Sequence, residues 1–158
     1  MRNTTLTRQP STVFISLFEI TDLKAKGPHS MKWQPQFATG DAQIDEQHKM
    51  LFTTSEQFRQ TLEAGEGEKT YDLFLDFLNA YCEMHFSVEE DCMFAYKCPV
   101  ASQNKHEHGL FLNLLEKENI RYRDHGFDSN LAMAMLDKLD NWLASHICRI
   151  DVRLKEAI

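Results

Sequence analysis

The stretch Tyr81-Cys82-Glu83-Met84-His85-Phe86-Ser87-Val88-Glu89-Glu90 places a histidine and a glutamate four residues apart inside an apolar helical run. Side chains four apart lie on the same face of an α-helix, so His85 and Glu89 project together. Such side chains are seldom buried without a partner. The pair therefore predicts a helix that turns metal-ligating groups, as well as apolar side chains, toward the protein interior.

Similar groups recur in the other helical stretches of the chain. They are His48, Asn104 with His108, and His146 with Asp151. Six imidazole and carboxylate ligands would over-fill a zinc site, which usually takes four, whereas carboxylates can bridge two ions. Imidazole together with carboxylate suits iron. The spacing predicts a two-ion site, with Glu89 and Asp151 as the natural bridges.

The apolar periodicity after Met31 predicts four long helices and no strands. The first begins near Asp45, whose carboxylate suits an N-cap. The helices are expected over about 45–63, 70–96, 100–123 and from 129 through Leu154 toward the C terminus. Short turns containing Gly or Pro join them, which predicts an all-α, up-down-up-down four-helix bundle with an N-terminal extension.

In an antiparallel bundle, early positions of one helix lie level with late positions of its neighbours. Two candidate ligands are early in their helices, His48 and His108. The others are late: His85, Glu89, His146 and Asp151. The alternation of helix direction therefore allows all six to meet at one end of the bundle.

Residues 1–30 differ from the rest because they combine scattered Thr, Ser and Pro with the apolar patch 13–18. Three interpretations are open: an extension that packs on the bundle, a translation start upstream of the true start at Met31, and residues of cloning origin. The docked extension is favoured, since the patch would be costly to leave in water. We expect an extension over 1–30 and a bundle domain over 31–158.

Composition narrows the class of protein. A length of 158 residues suits one domain. The net charge of −7 argues against nucleic acid. No apolar run approaches the ~18 residues of a membrane span. The cysteines show neither C-x-x-C nor zinc-knuckle spacing, which favours reduced thiols in a cytoplasmic protein over a redox role; they are Cys82, Cys92, Cys98 and Cys148.

The chain resembles the hemerythrin family, specifically its bacteriohemerythrins. The matching stretches are 44–52, 81–90, His108 followed by 111–112, and 142–147 continuing to Asp151. Together they cover Met31 to about Leu154. The resemblance implies a non-haem di-iron centre that binds O2.

The resemblance also implies a role for each site residue. His48 and His85 would serve one iron, and the other iron would be served by His108 and His146. Glu89 and Asp151 would bridge the two ions, which are expected to share an oxo or hydroxo bridge and to keep O2, water or an anion as exchangeable ligand. Three apolar residues would line the O2 pocket: Trp142, Leu143 and Ile147.

Asn104 departs from the family pattern, which normally has a histidine four residues before the one matched by His108. An amide oxygen is a poor iron ligand beside imidazole. We therefore expect water, hydroxide or an anion in that position. His106 lies about 200° around the helix from His108, so it faces away unless the helix is distorted by a π-bulge.

A missing imidazole opens a coordination position and predicts fast autoxidation, which favours an O2 or redox sensor. Family members occur fused to signalling outputs such as diguanylate cyclases, so we expect a fused or partner output. Residues 151–158 are helical without a C-cap, which suits a helix entering another domain or one that frays. The alternatives are an O2 storage or delivery protein and a di-iron peroxidase or ferroxidase-like enzyme. No additional acid or base stands out, so the chain itself is expected not to be an enzyme.

Overall fold

Four α-helices make up the fold in the computed structural model, which describes residues 31–158. The helices are α1 (Ala42–Glu63), α2 (Tyr71–Ala95), α3 (Ala101–His125) and α4 (Ser129–Arg149), and short 3-10 helices occupy Pro35–Phe37, Gly67–Lys69 and Asp151–Glu156. α1 packs against α2 and α4, and α2 packs against α3. The predicted all-α four-helix bundle is confirmed, whereas the extension expected over 1–30 lies outside the described residues.

The N-cap of α1 is Asp41, so the predicted N-cap at Asp45 is wrong. The Asp41 carboxylate accepts hydrogen bonds from the backbone N–H groups of Gln43 and Ile44 at 2.9 and 3.0 Å. Asp45 lies in the first turn, where its carboxylate accepts the backbone N–H and the hydroxyl of Thr39. Both aspartates suit a cap chemically, and the extended backbone of Asp41 decides between them.

α3 ends at His125, close to the predicted end at about residue 123, and the turn to α4 follows. Gly126 caps α3 with a φ of +78°, a conformation that glycine adopts without a steric penalty. Asp128 then caps α4 and accepts the backbone N–H groups of Asn130 and Leu131. A short connection thus reverses the chain direction.

The end of α4 differs from the prediction of one helix continuing through Leu154. α4 ends at Arg149, and a 3-10 helix begins at Asp151. Ile150 and Leu154 are buried in a small apolar cluster with Ile44 and Met93. Burial of these side chains holds the last segment across the end of the bundle, and this packing outweighs continuation of the α-helix.

Apolar side chains fill the bundle between the polar cluster and the opposite end. Phe58 stacks on Phe74 with ring centroids 4.1 Å apart, and Tyr71 packs beside both rings. Phe77 and Leu131 lie outside this core and are 37% and 45% exposed. All four cysteines are free thiols. Within 31–158, no helix is both long enough and apolar enough to cross a bilayer.

A buried ion pair links α1 to α4. Arg59 contacts the Asp140 carboxylate at 2.8 Å, and the Ser55 hydroxyl donates to the other Asp140 oxygen at 2.5 Å. Arg59 also reaches Asp137, whose side chain is 60% exposed. Because Arg59 and Asp140 are both buried, each depends on the other for charge compensation.

Replacing Asp140 by alanine should lower the free energy of unfolding by about 3 kcal/mol, because the Arg59 guanidinium would stay buried without its main partner. Urea unfolding of the metal-free protein measures the loss. The matched control is Asp137→Ala, which removes the exposed partner and should cost less than about 1 kcal/mol. Equal losses in the two variants would contradict this assignment.

Candidate metal centre

The six predicted ligands and Asn104 form one buried cluster. The side chains come from all four helices and the segment after α4: His48, His85, Glu89, Asn104, His108, His146 and Asp151. None of the seven is more than 2% exposed. The structure therefore brings together every residue that the spacing singled out, although their roles as ligands stay a prediction.

Glu89 lies between the two halves of the cluster. Its Oε1 is 3.7 Å from His48 Nε2, and its Oε2 is 3.2 Å from His108 Nε2. One carboxylate oxygen thus faces α1 and the other faces α3. This placement is what a carboxylate needs in order to bridge two ions.

Asp151 faces the same two halves from the end of the bundle. Its Oδ1 is 3.1 Å from His146 Nε2, and its Oδ2 is 3.6 Å from His48 Nε2. The end of α4 produces this placement, because Asp151 is the first residue of the 3-10 helix. Asp151 therefore faces both halves of the cluster, as a bridging carboxylate would, because the helix changes type before it.

The potential donor atoms divide into two groups, each compact enough to hold a metal ion. Within each group the donor atoms lie within 4.8 Å of one another. One group comprises Glu89, His108, His146 and Asp151, and the other comprises His48, His85 and Glu89. Glu89 belongs to both groups, as expected of a bridging carboxylate, whereas Asp151 belongs to the first group only.

Asn104 occupies a position inside the cluster, and His106 does not. The Asn104 Oδ1 is 2.8 Å from His146 Nε2, and its amide donates to Glu89 Oε2 at 3.4 Å. α3 is an unbroken α-helix here, and His106 is exposed. His106 therefore does not replace the missing imidazole.

Three histidines are held from outside the cluster through their Nδ1 atoms. His85 Nδ1 lies 2.9 Å from Gln47 Oε1, His108 Nδ1 lies 3.1 Å from Glu90 Oε1, and His146 Nδ1 lies 3.0 Å from Glu107 Oε2. Because these oxygens accept the Nδ1 proton, the Nε2 atoms point inward toward the other ligands.

Two of these outer partners, Gln47 and Glu107, were missed in the sequence. Each directly precedes a predicted ligand but contacts a histidine on a different helix, so spacing along one helix could not reveal the pairing. Glu90, the third outer partner, directly follows Glu89 and contacts His108 on the neighbouring helix. Tyr81 is one step further out, since its hydroxyl donates to the Gln47 carbonyl at 3.4 Å.

Aromatic rings flank the cluster on the side of α2 and α4. Trp142 stacks on His146 with centroids 4.4 Å apart, and Phe86 stacks on His108 at 3.8 Å. Leu143 and Ile147 are buried in the adjoining apolar core. The three residues expected to line an O2 pocket thus lie in the apolar region beside the cluster, and the pocket itself stays a prediction.

Burial keeps three of the histidines neutral. It lowers the pKa of His48 despite the nearby Asp151, and it lowers the pKa of His85 well below its ordinary value, with His48 adding to the effect. Burial and the neighbouring His146 lower the pKa of His108 to about 4. Neutral imidazoles are the form that binds metal, so these three groups need no deprotonation at pH 7.

Glu89 and His146 bind protons more readily in the metal-free protein than ordinary carboxyl and imidazole groups do. Burial and the neighbouring Asp151 raise the pKa of Glu89 well above its ordinary value. Burial would lower the pKa of His146, but hydrogen bonds to Asp151 and Glu107 outweigh it and raise that pKa to about 8. At pH 7 the extra proton on His146 therefore offsets part of the negative charge of the buried carboxylates.

The donor set fits bound cations. Glu89 Oε1 and Asp151 Oδ2 are buried and accept no hydrogen bond from any residue of 31–158. An uncompensated buried carboxylate is strongly disfavoured, and a metal ion is the partner that satisfies several such oxygens at once. Imidazole nitrogen together with carboxylate oxygen is a set that suits iron.

The bundle and its cluster define a helical metal-binding domain, and comparison with known proteins gives its family. The model of the family described as "Hemerythrin HHE cation binding domain" matches residues 39–158. The chain is also 30% identical over 122 residues to a bacteriohemerythrin of Clostridium acetobutylicum, an alignment covering 75% of this chain and 94% of that protein. The chain belongs to the hemerythrin family.

Metal loading at pH 7 should release a proton from His146, because that imidazole must lose its extra proton to become a ligand. As the pH rises through about 8, the share from His146 should disappear, since that imidazole is then already neutral. Calorimetric titration with Co(II) in buffers of different ionisation enthalpy measures this release. A release that does not change over this pH range would contradict the assignment to His146.

Replacing His108 by alanine should remove one ion from the loaded protein, because His108 is buried against Glu89. The matched control is His106→Ala, two residues away on the exposed face of α3, and it should leave the metal content unchanged. Iron per chain after anaerobic reconstitution, determined by elemental analysis, is the measurement. Loss of iron in the His106 variant would show that the exposed histidine takes part.

Proposed function

We propose that this domain holds two non-haem irons, binds O2 and serves as an O2 or redox sensor. Family membership supports a non-haem iron domain that binds O2, and the two overlapping donor groups support two ions. The sensing part of the proposal depends on one observation, which is the presence of Asn104 inside the cluster.

Asn104 leaves the half of the cluster around His108 and His146 with two imidazoles. Its amide is engaged by two neighbours, with the oxygen 2.8 Å from His146 Nε2 and the nitrogen donating to Glu89 at 3.4 Å. An amide is a weak donor to iron, so that half keeps a position for an exchangeable ligand such as water, an anion or O2.

Bound iron would supply reversible electron transfer to O2. The side chains around the histidines determine how polar the surroundings of that iron are. On one side Phe86 and Trp142 cover His108 and His146 with apolar rings. Asn104 is equally buried, but it contributes a polar amide to this half where a histidine would contribute a further imidazole. We expect the missing imidazole in this half to speed autoxidation of the iron, which suits a sensor better than a carrier.

The rate of oxidation in air separates the sensor from an O2 storage or delivery protein. The domain is reconstituted with ferrous iron without oxygen, exposed to air and followed by its optical spectrum. The sensor proposal expects rapid conversion to the diferric form. Reversible retention of O2 for many minutes would instead support storage or delivery.

A peroxidase or ferroxidase-like activity is the remaining alternative. Turnover of peroxide with an added reductant, compared with the Asp151→Ala variant, tests it directly. The sensor proposal expects no sustained turnover above that variant.

The proposed output is a signalling domain such as a diguanylate cyclase, fused to this domain or associated with it in the cytoplasm. The coding sequence on either side of these residues tests fusion. A binding assay with the neighbouring gene products tests association, and the proposal expects that binding to depend on the oxidation state of the iron.

Replacing Asn104 by histidine should slow autoxidation about tenfold, which corresponds to about 1.4 kcal/mol in the activation barrier. A third imidazole would fill the exchangeable position and limit access by water. The matched control is Asn113→His, an exposed position on the same helix. Spectra recorded after exposure to air give both rates. Equal rates for the parent and Asn104→His would show that Asn104 does not make the site labile.

A further inference from the structure

The outer contacts of the four clustered histidines are unequal. His108 and His146 each present Nδ1 to a carboxylate, Glu90 at 3.1 Å and Glu107 at 3.0 Å. His85 presents Nδ1 to the neutral amide of Gln47. The Nδ1 of His48 is buried without a hydrogen-bond partner in residues 31–158.

We call His108, His146, Glu90 and Glu107 the carboxylate-supported half, and we call His48, His85 and Gln47 the amide-supported half. Asn104 lies in the first of these, next to His146. Each half contributes two imidazoles, so a count of histidines alone gives no reason for the two metal positions to differ in affinity.

Surface cations fix the two outer carboxylates in place. Lys105 contacts Glu90 at 2.7 Å, and Arg149 contacts Glu107 at 2.9 Å. Gln103 also donates to Glu107 at 3.2 Å. Each carboxylate therefore has one oxygen directed at a histidine and further contacts that hold it there.

A carboxylate that accepts the Nδ1 proton orients the imidazole and makes its other nitrogen a stronger donor to a metal. A neutral amide orients the ring with less effect on its basicity. The carboxylate-supported half also belongs to the larger donor group, which has four members against three in the other. The carboxylate contacts and the larger donor group both favour metal binding in the carboxylate-supported half.

We propose that Glu90 and Glu107 are positioning residues that offset the missing imidazole at Asn104, so that the carboxylate-supported half takes up a metal ion before the amide-supported half. The proposal rests on the two-ion site of the proposed function. It adds the order in which the two ions bind. It also adds a difference in affinity between the two metal positions, which follows from the residues around them.

A purely structural role for these carboxylates makes different predictions. Glu90 joins α2 to α3 through Lys105, and Glu107 joins α3 to α4 through Arg149. If those links served stability alone, removing the charge would change unfolding of the metal-free protein and leave its affinity for metal unchanged.

The test is a titration of the metal-free full chain with Co(II), whose visible spectrum reports the coordination of each ion. The parent is expected to bind in two resolved steps. Glu90→Gln and Glu107→Gln keep an acceptor for the imidazole but lose the charge, and each should weaken the first step by about 10–100-fold. Glu83→Gln and Glu116→Gln remove exposed carboxylates from the same two helices and should leave both steps unchanged.

The reciprocal variant Gln47→Glu supplies a carboxylate to His85 and should strengthen the second step, bringing the two steps closer together. Urea unfolding of each metal-free variant measures any separate effect on stability. Two bound ions with affinities unaffected by Glu90→Gln and Glu107→Gln would overturn the order of filling while leaving the proposed function in place. Failure of the parent to bind two ions would overturn both.

Discussion

The burial of two carboxylates, Glu89 and Asp151, is the constraint on which the rest of the structure depends. Each is fully buried and has an oxygen that accepts no hydrogen bond from the described residues. Charges in such a place require protons or cations, because transfer from water is otherwise very costly. In the metal-free protein, the proton on His146 lies beside Asp151, and burial with the neighbouring Asp151 raises the pKa of Glu89. Metal ions would meet this requirement in the loaded form, so metal binding and stability are coupled.

The bundle separates this polar end from its apolar interior. Stacked aromatic rings occupy the centre. Between α1 and α4, the buried charges of Arg59 and Asp140 compensate each other. Trp142 and Phe86 lie where the two regions meet and cover His146 and His108. Rigid packing around the histidines restricts their movement, so the site is shaped before any ligand arrives. This preorganisation suits a domain that binds metal ions.

Much of the fold and the site could be predicted because both depend on local periodicity. His85 with Glu89, and Asn104 with His108, share a helix face by their spacing alone, and the bundle places them level with His48 and His146. The errors fell at helix ends, where several residues are chemically suitable. By residue type, Asp45 could cap α1 as well as Asp41. In the fold, the Asp45 carboxylate accepts a hydrogen bond from Thr39, and Asp41 caps the helix. The end of α4 was placed too late for a similar reason, because buried contacts of Ile150 and Leu154 override helix continuation.

The sequence by itself determined which side chains gather and that one expected imidazole is replaced by Asn104, since residue identity and spacing within a helix are fixed by the chain. Only the tertiary structure decided how the gathered groups are oriented. Asp151 faces two histidines because the helix changes type before it, and Gln47 and Glu107 support histidines on other helices. Such contacts depend on how each helix is rotated against its neighbours. That rotation is set by packing of the whole core, which no periodicity within a single helix records.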